Sequence, residues 1–468
     1  MNGWSITAAA RTVPDRLALI AESGRWTYAA LADRVAASAR ALHSAGVNFT
    51  AEGRVMMVAP NTVDTVCALL ALFERGVPVM LLHPRSTAKE REALAARYPP
   101  SVRLEGPPTV GHVEKGGAGY DYTPTAVPDE LDLAVFFTSG TTGRPKAVRL
   151  SRRAFASSAG GSAENLGWQA NDRWLLNIPL AHVGGLSVLT RCLLARATVV
   201  LADGATDAAH LATYAKNERV TLMSMVPTQL QRWLPASPPP TVRAVLLGGA
   251  PAAPALRAKA RRAGWPILVT YGLTEACSQV TVQCLGATPS ADDRDSGSPL
   301  PGTEVRIRDG RIWVRGPTLL SGYLAPAGSD DGLGAAFDEE GWFDTSDLGA
   351  IDVDGRLTVH ARRQDLILSG GENVYPSEVE AALTSLPDVQ DAVVFGIEDQ
   401  EWGQAVAAAV VAGSETSFEF LDQRLRSMLA GPKRPRFGAF LSRLALTPSG
   451  KVDRQRVIEA ARARLKPI

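Results

Sequence analysis

Short apolar runs recur through the first 270 residues, and stretches of helical periodicity separate most of them. Leu17–Ala21, Val55–Ala59, Val77–Leu82, Leu131–Phe137, Arg173–Ile178, Ala197–Leu201, Val220–Met225, Val242–Leu247 and Ile267–Tyr271 are the strand candidates. Between the first of them, Thr27 caps a helix with Leu31, Val35 and Leu42 on one face and Gly46 behind it, and a second helix runs to about Arg75. Thr87 with Glu90 three residues later is a capping box for another. Strand–helix–strand repetition is the pattern of parallel α/β layers, whose strands are buried on both faces and therefore read as continuous apolar runs.

The texture changes twice. Residues 99–128 are rich in Pro and Gly and read as a long surface connection, and Pro235–Pro240 as a shorter loop. After about Pro289 come short strands and turns (Glu304–Arg308, Arg311–Arg315, Gly349–Val353, Arg356–His360), expected to form a small antiparallel barrel or distorted sheet. From about Gln364 a compact α+β segment runs on, with a helix near Pro376–Leu386 and strands near Val389–Gly396 and Gln404–Val411. The expected fold class is α/β: a large N-terminal domain of layered α/β sheets with a small β-barrel-like subdomain, and a small α+β C-terminal domain.

The 468 residues are enough for two or three structural units. Lys plus Arg number 49 and Asp plus Glu 48, a net charge of +1, which argues against a nucleic-acid or membrane binder driven by bulk charge. The four cysteines, Cys67, Cys192, Cys277 and Cys284, form no CxxC pair, so neither a zinc site nor a disulfide framework is suggested. No basic-then-apolar leader opens the chain, and no uncharged apolar run approaches the length of a membrane span. The expectation is a cytoplasmic protein with no stable membrane insertion and no nucleic-acid partner.

The strongest local signal is Thr138-Ser139-Gly140-Thr141-Thr142-Gly143-Arg144-Pro145-Lys146, placed where the apolar run Leu133–Phe137 ends. Glycines and small hydroxyl residues let backbone N–H groups approach phosphate oxygens closely, and Lys146 adds a point charge. An ordinary Gly/Ser/Thr turn is the bland alternative. A P-loop does not fit, because Pro145 precedes the lysine and Ala147 follows it. Leu247-Gly248-Gly249-Ala250 also follows a strand, a weak signal alone. Further along stand Tyr271-Gly272-Leu273-Thr274-Glu275, Gly341-Trp-Phe-Asp-Thr-Ser-Asp347, Arg362 through Asn373 with Gly370 and Gly371, and Pro448-Ser-Gly-Lys451-Val-Asp453.

Taken in order, these segments resemble the acyl-adenylate-forming superfamily of acyl- and aryl-CoA synthetases, peptide-synthetase adenylation domains and luciferases. The resemblance covers nearly the whole chain. It implies that Thr138–Lys146 cradles ATP phosphates, that Gly248, Gly249 and Ala250 line adenine, and that Tyr271 and Gly272 pack near the base. Thr274 would contact the phosphates, Glu275 would help to hold Mg²⁺, and Asp347 would accept from both ribose hydroxyls with Arg362 nearby. Ser346 stands where the family usually has Gly. The resemblance further implies a mobile C-terminal lid, residues 364–468, hinged at Gln364 against the domain 1–363, with Gly370 and Gly371 near a thiol tunnel. Lys451 would be the adenylation lysine. Lys433, Arg434 and Arg436 either meet CoA phosphates or form a plain solvated basic stretch.

The acid is expected along Pro179-Leu-Ala-His182-Val-Gly184-Gly185-Leu186-Ser187, with His182 as a gate near the carboxylate. The Asp with which the peptide-synthetase branch binds an amino group is missing here, which disfavours an α-amino acid. This run, with Val226-Pro-Thr228-Gln229-Leu230 and Ala276-Cys-Ser278-Gln279, looks most like the branch that joins o-succinylbenzoate to CoA in menaquinone biosynthesis. Ser187, Arg191, Thr228, Gln229, Ser278 and Gln279 are candidate partners for that acid's second carboxylate. Another aryl- or short acyl-CoA ligase, or transfer to a carrier-protein thiol, are the alternatives. Homodimerisation is an expectation by analogy with the family.

Overall fold

The computed structural model describes residues 3–49, 53–110, 127–138, 145–202, 207–287, 293–329, 337–362, 365–369, 372–414, 416–447 and 450–468. Every apolar run singled out above forms a strand, and two sheets collect them. The first has nine strands, with Ile267–Tyr271, Ala244–Leu247, Leu222–Met225, Arg173–Leu176, Thr198–Leu201 and Leu17–Ala21 side by side and parallel. The second has six strands and places Val102–Leu104, Val55–Val58, Val79–Leu82 and Asp132–Thr138 in parallel. Lys146–Ser151 and Gly322–Tyr323 then extend it antiparallel.

Helices fill the space between the sheets. Thr62 caps Val63–Glu74, in which every residue but Asp64 is buried. Leu69, Leu70 and Phe73 of that helix belong to a core that also takes Leu19, Leu176 and Val199 from the first sheet and Met57, Leu81 and Ala134 from the second. An element apolar all round can be accommodated only in such a layer. The capping box at Thr87 and Glu90 forms as the spacing predicts.

Residues 99–128 are not wholly a connection. Val102–Leu104 pairs with Val55–Val58 as an edge strand, while residues 111–126 lie outside the described part. Three residues of strand within a Pro/Gly-rich stretch give too short a period to recognise. The segment expected as a barrel or distorted sheet is a four-stranded antiparallel sheet of Glu304–Arg308, Arg311–Arg315, Phe343–Ile351 and Leu357–Arg362, bent by two register shifts. From Ile367 onward the chain builds its own sheet around Gly403–Ala412, covered by the helices Pro376–Thr384, Phe418–Leu425 and Arg454–Arg462.

Ligands in open parallel sheets bind beyond the carboxyl ends of the strands. Here the strands Ala244–Leu247 and Ile267–Tyr271 are neighbours, so their carboxyl ends present Gly248–Gly249 and Gly272–Glu275 at the same edge. No helix among the described residues is long and apolar enough to cross a membrane.

Candidate active site

The turn after Ala244–Leu247 has to be glycine. A Cβ at Gly248 would lie 2.6 Å from Thr270 Cγ2 and 2.9 Å from the Thr270 carbonyl. Gly249 has φ +76 and is exposed, and the space in front of it holds Lys451: a Cβ there would stand 3.2 Å from Lys451 Cε and 3.3 Å from Nζ. The lysine thus crosses from the C-terminal unit onto the edge of the first sheet. One contact ties its turn to the sheet side, and a second shapes the turn itself. Thr228 Oγ1 donates to the Gly450 carbonyl at 2.5 Å, and Lys451 N–H donates to Thr447 Oγ1 at 3.2 Å.

Gly272 is required still more strictly, since a Cβ would fall 1.6 Å from the Ser278 carbonyl. The chain folds back on itself through a single turn, Thr274–Ala276, and through Cys277 and Ser278 at φ 53 and 89. This aims Tyr271 at the four-stranded sheet, where its hydroxyl donates to Asp347 Oδ2 at 2.6 Å. Asp347 is buried and lies directly across from Arg362 in the hairpin, which is why the two stand fifteen residues apart. Ser346 takes φ 60, the left-handed backbone for which glycine is the least strained residue.

Thr138 and Lys146 are register partners, so both ends of the Gly/Ser/Thr loop are pinned, while residues 139–144 lie outside the described part. Lys146 Nζ sits 5.0 Å over the Tyr323 ring, and the Tyr323 hydroxyl donates to Glu275 Oε1 at 3.3 Å. Among the described residues no group of three His, Cys, Asp or Glu side chains could enclose a metal ion. A single carboxylate oxygen donor beside a phosphate loop fits Mg²⁺, which keeps several waters and takes its remaining ligands from phosphates.

The expected acid side is the helix Val183–Ala195, for which His182 is the cap residue without a side-chain capping bond. Its ring lies 5.4 Å from that of His83. His83 Nδ1 accepts from the Arg85 N–H at 3.0 Å, which places the His83 proton on Nε2. Among the described residues both Nε2 atoms are buried without a hydrogen-bond partner, as are both polar atoms of the Asn177 amide. Burial first, then Lys451 and His83, push His182 down to about 3; burial and Arg85 lower His83. Both rings are therefore neutral at pH 7.

The helix divides the predicted residues by role. Gly185 serves packing, for a Cβ there would meet the Pro179 carbonyl at 2.2 Å, whereas Gly184 has only Ile178 Cδ1 at 3.9 Å. Leu186 is core. Ser187 and Arg191 stand one turn apart, both buried. The Arg191 guanidinium donates to Ser158 Oγ at 3.3 Å and lies 5.6 Å over Trp174; Ser158 Oγ in turn donates to the Cys277 carbonyl. No carboxylate among the described residues pairs with Arg191, and Arg191 Nε, Ser187 Oγ and Gln279 Oε1 are buried without partners. Gln229 is spent locally, accepting from Val226 N–H at 3.0 Å, and Thr228 is tied to Gly450.

All three basic residues named for CoA are engaged within their own unit: Lys433 pairs with Glu378, Arg434 with Asp422, and Arg436 stacks 3.6 Å over Trp402. Gln364, Gly370 and Gly371, and the side chain of Arg362, lie outside the described part. Sequence reading missed Tyr323, His83, Ser158 and Asn177. None sits in a motif; Tyr323, His83 and Ser158 each meet a partner distant in sequence, and Asn177 is marked only by its buried amide.

Fold and site together have the organisation expected of a nucleotide-using α/β enzyme, with Lys451 of the C-terminal segment lying against Gly249 at the sheet edge. The AMP-binding enzyme family matches residues 6–324, and the AMP-binding enzyme C-terminal domain matches residues 378–451. This chain belongs to the AMP-binding enzyme family. It is 34% identical over 476 residues to the 2-succinylbenzoate–CoA ligase of Bacillus licheniformis, covering 96% of this chain and 98% of that one. The o-succinylbenzoate CoA synthetase of Bacillus subtilis in complex with the acyl-adenylate intermediate OSB-AMP matches with TM-score 0.84 at 31% identity, over 98% of each chain. A double mutant of that synthetase bound to its product analogue OSB-NCoA matches with TM-score 0.69 at 31% identity, over 100% of this chain and 99% of that one.

Proposed function

We propose that this protein is an AMP-forming acid–CoA ligase that activates o-succinylbenzoate with ATP and transfers the acyl group to CoA, the menaquinone-pathway step. One observation carries the class: Lys451 stands over Gly249, on the edge shared by Tyr271, Glu275 and Asp347, and close enough to His182 to lower its basicity. This supports a cation acting between nucleotide and acid, where an attacking carboxylate and the α-phosphate would meet.

In the first half-reaction a substrate carboxylate oxygen attacks the α-phosphorus, and pyrophosphate leaves with its electron pair. Lys451 neutralises the charge that develops, a contribution of about 3–4 kcal/mol for one preorganised donor. The backbone at Gly248–Ala250 faces adenine, Asp347 exchanges Tyr271 for the ribose hydroxyls, and Thr138–Lys146 with Thr274 holds the phosphates. Mg²⁺ held near Glu275 supplies charge neutralisation on those phosphates. In the second half-reaction the CoA thiol attacks the acyl carbon and AMP leaves.

The lid, residues 364–468, rotates about Gln364 between the two steps, taking Lys451 away and bringing the Gly370–Gly371 loop in. The separate family matches on either side of this boundary support the division. The better superposition on the acyl-adenylate complex than on the product-analogue complex supports an adenylating orientation here.

For the acid, neutral His182 and His83 suit a carboxylate awaiting activation, and the buried Arg191 with Ser187, Ser278 and Gln279 suits a second carboxylate that is kept. A mass-spectrometric screen with ATP, Mg²⁺, CoA and a panel of o-succinylbenzoate, benzoates and short fatty acids tests this. The expected products are o-succinylbenzoyl-CoA and AMP. A thioester from another acid alone would move the substrate, and acyl-AMP without thioester would move the acceptor to a carrier protein.

A further inference from the structure

The phosphate-loop lysine and the metal-side glutamate are 129 residues apart in sequence, yet both touch one side chain. Gly322–Tyr323 pairs antiparallel with Lys146–Ser151, with Tyr323 opposite Val148. Side chains two residues apart share a face, so Lys146 is the diagonal neighbour of Tyr323 on the face of Val148. Its ammonium lies 5.0 Å over the phenol ring. The far end of the same ring donates its hydroxyl to Glu275 Oε1 at 3.3 Å. The backbone on either side is pinned to both partners: Leu320 N–H donates to the Glu275 carbonyl at 2.8 Å, Ser321 N–H to the Arg149 carbonyl at 3.0 Å and Leu324 N–H to the Ala147 carbonyl at 2.8 Å.

We propose that Tyr323 is a positioning residue that sets Lys146 and Glu275 at fixed places on either side of the nucleotide phosphates. Opposite charges left to themselves on neighbouring loops pair and cancel, and neither then serves a ligand. No ion pair joins Lys146 to Glu275, and among the described residues Tyr323 is the only side chain that either charged group contacts by hydrogen bond, ion pair or cation–π geometry. The aromatic face holds the ammonium without neutralising it, and the hydroxyl orients the carboxylate without protonating it.

The two functions reside on different atoms and are separable. This rests on the reading of Glu275 as the metal-side carboxylate. Calorimetric titration of the full-length protein with ATP, in EDTA and in Mg²⁺, is the test. Tyr323→Phe keeps the ring and loses the hydroxyl: ATP binding in EDTA stays at the wild-type value, and the gain from adding Mg²⁺ shrinks about 5-fold. Tyr323→Leu loses both, and binding in EDTA also falls, by about 5-fold. Glu275→Gln separates the two levels. Loss of the Mg²⁺ gain in Glu275→Gln with full retention in Tyr323→Phe overturns the positioning role alone. Retention in both overturns the assignment of Glu275 beneath it. Equal loss with and without Mg²⁺ in Tyr323→Phe, together with a lowered melting temperature, marks Tyr323 as merely structural and overturns the proposal.

Discussion

The proposed nucleotide edge and the proposed acid pocket treat their polar groups in opposite ways. At the nucleotide edge the functional side chains hold one another: Tyr271 binds Asp347, Tyr323 binds Glu275, and Thr228 binds the Gly450 carbonyl. On the acid side several polar atoms are buried without a partner among the described residues: Nε2 of His83 and His182, both amide atoms of Asn177, Ser187 Oγ, Arg191 Nε and Gln279 Oε1. A buried polar atom without a partner costs about 1–3 kcal/mol. A region that carries several of them stores specificity for a ligand that satisfies them, whereas a region of exchangeable partners binds a ligand common to many reactions.

Four changes would break or sharpen that contrast. The largest effect belongs to the residue joining the two regions. Lys451→Ala lowers adenylation, read by pyrophosphate release, by about 10²–10³-fold. Conversion of supplied acyl-AMP to thioester stays intact, and an equal fall in both half-reactions would contradict the rotation of the lid. Next is Arg191→Met. Removing a buried cation that no described carboxylate pairs with raises the melting temperature of the free protein, while kcat/KM for the diacid falls about 10²-fold. A lower melting temperature with unchanged turnover would return Arg191 to the core.

The third effect is on pH dependence. His182 titrates at about 3 when folded and near 6.5 when unfolded. The unfolded chain therefore binds the proton first as pH falls, so the stability this group contributes is present above 6.5 and is lost progressively toward 3. His182→Gln flattens the fall in melting temperature below pH 6.5 and lowers turnover more than ATP binding; an unchanged slope would mean that the ring is not held neutral. The smallest effect is Ser346→Gly, which relieves the φ 60 backbone and stabilises the protein by about 1 kcal/mol in chemical denaturation.

Legibility followed the same divide. Parallel strands are continuous apolar runs, so every parallel strand described in the two large sheets but Val102–Leu104 was readable, whereas the short antiparallel strands at their edges were not; the expected nucleotide residues travel in contiguous motifs. The three-residue strand Val102–Leu104 is shorter than any usable period. The left-handed turn at Ser346 had a signal, since glycine is the expected residue there. Tyr323 had none: its two-residue strand pairs with Lys146–Ser151, and its acceptor Glu275 lies 48 residues away. The acid pocket was only partly readable. A candidate list could not tell Gln229, which is used up capping its own helix, from Arg191 and Gln279, which retain unpartnered atoms, because that distinction exists only once neighbours are in place.

The most direct test pairs two acids that differ by one group: o-succinylbenzoate and 4-oxo-4-phenylbutanoate, which lacks the ring carboxylate. ATP–pyrophosphate exchange is measured with each, on the wild-type protein and on Arg191→Met. A buried pocket awaiting a second carboxylate predicts an advantage for the diacid of about 10²-fold in the wild type, collapsing toward parity in the variant. Equal exchange rates for the two acids on the wild-type protein would contradict it.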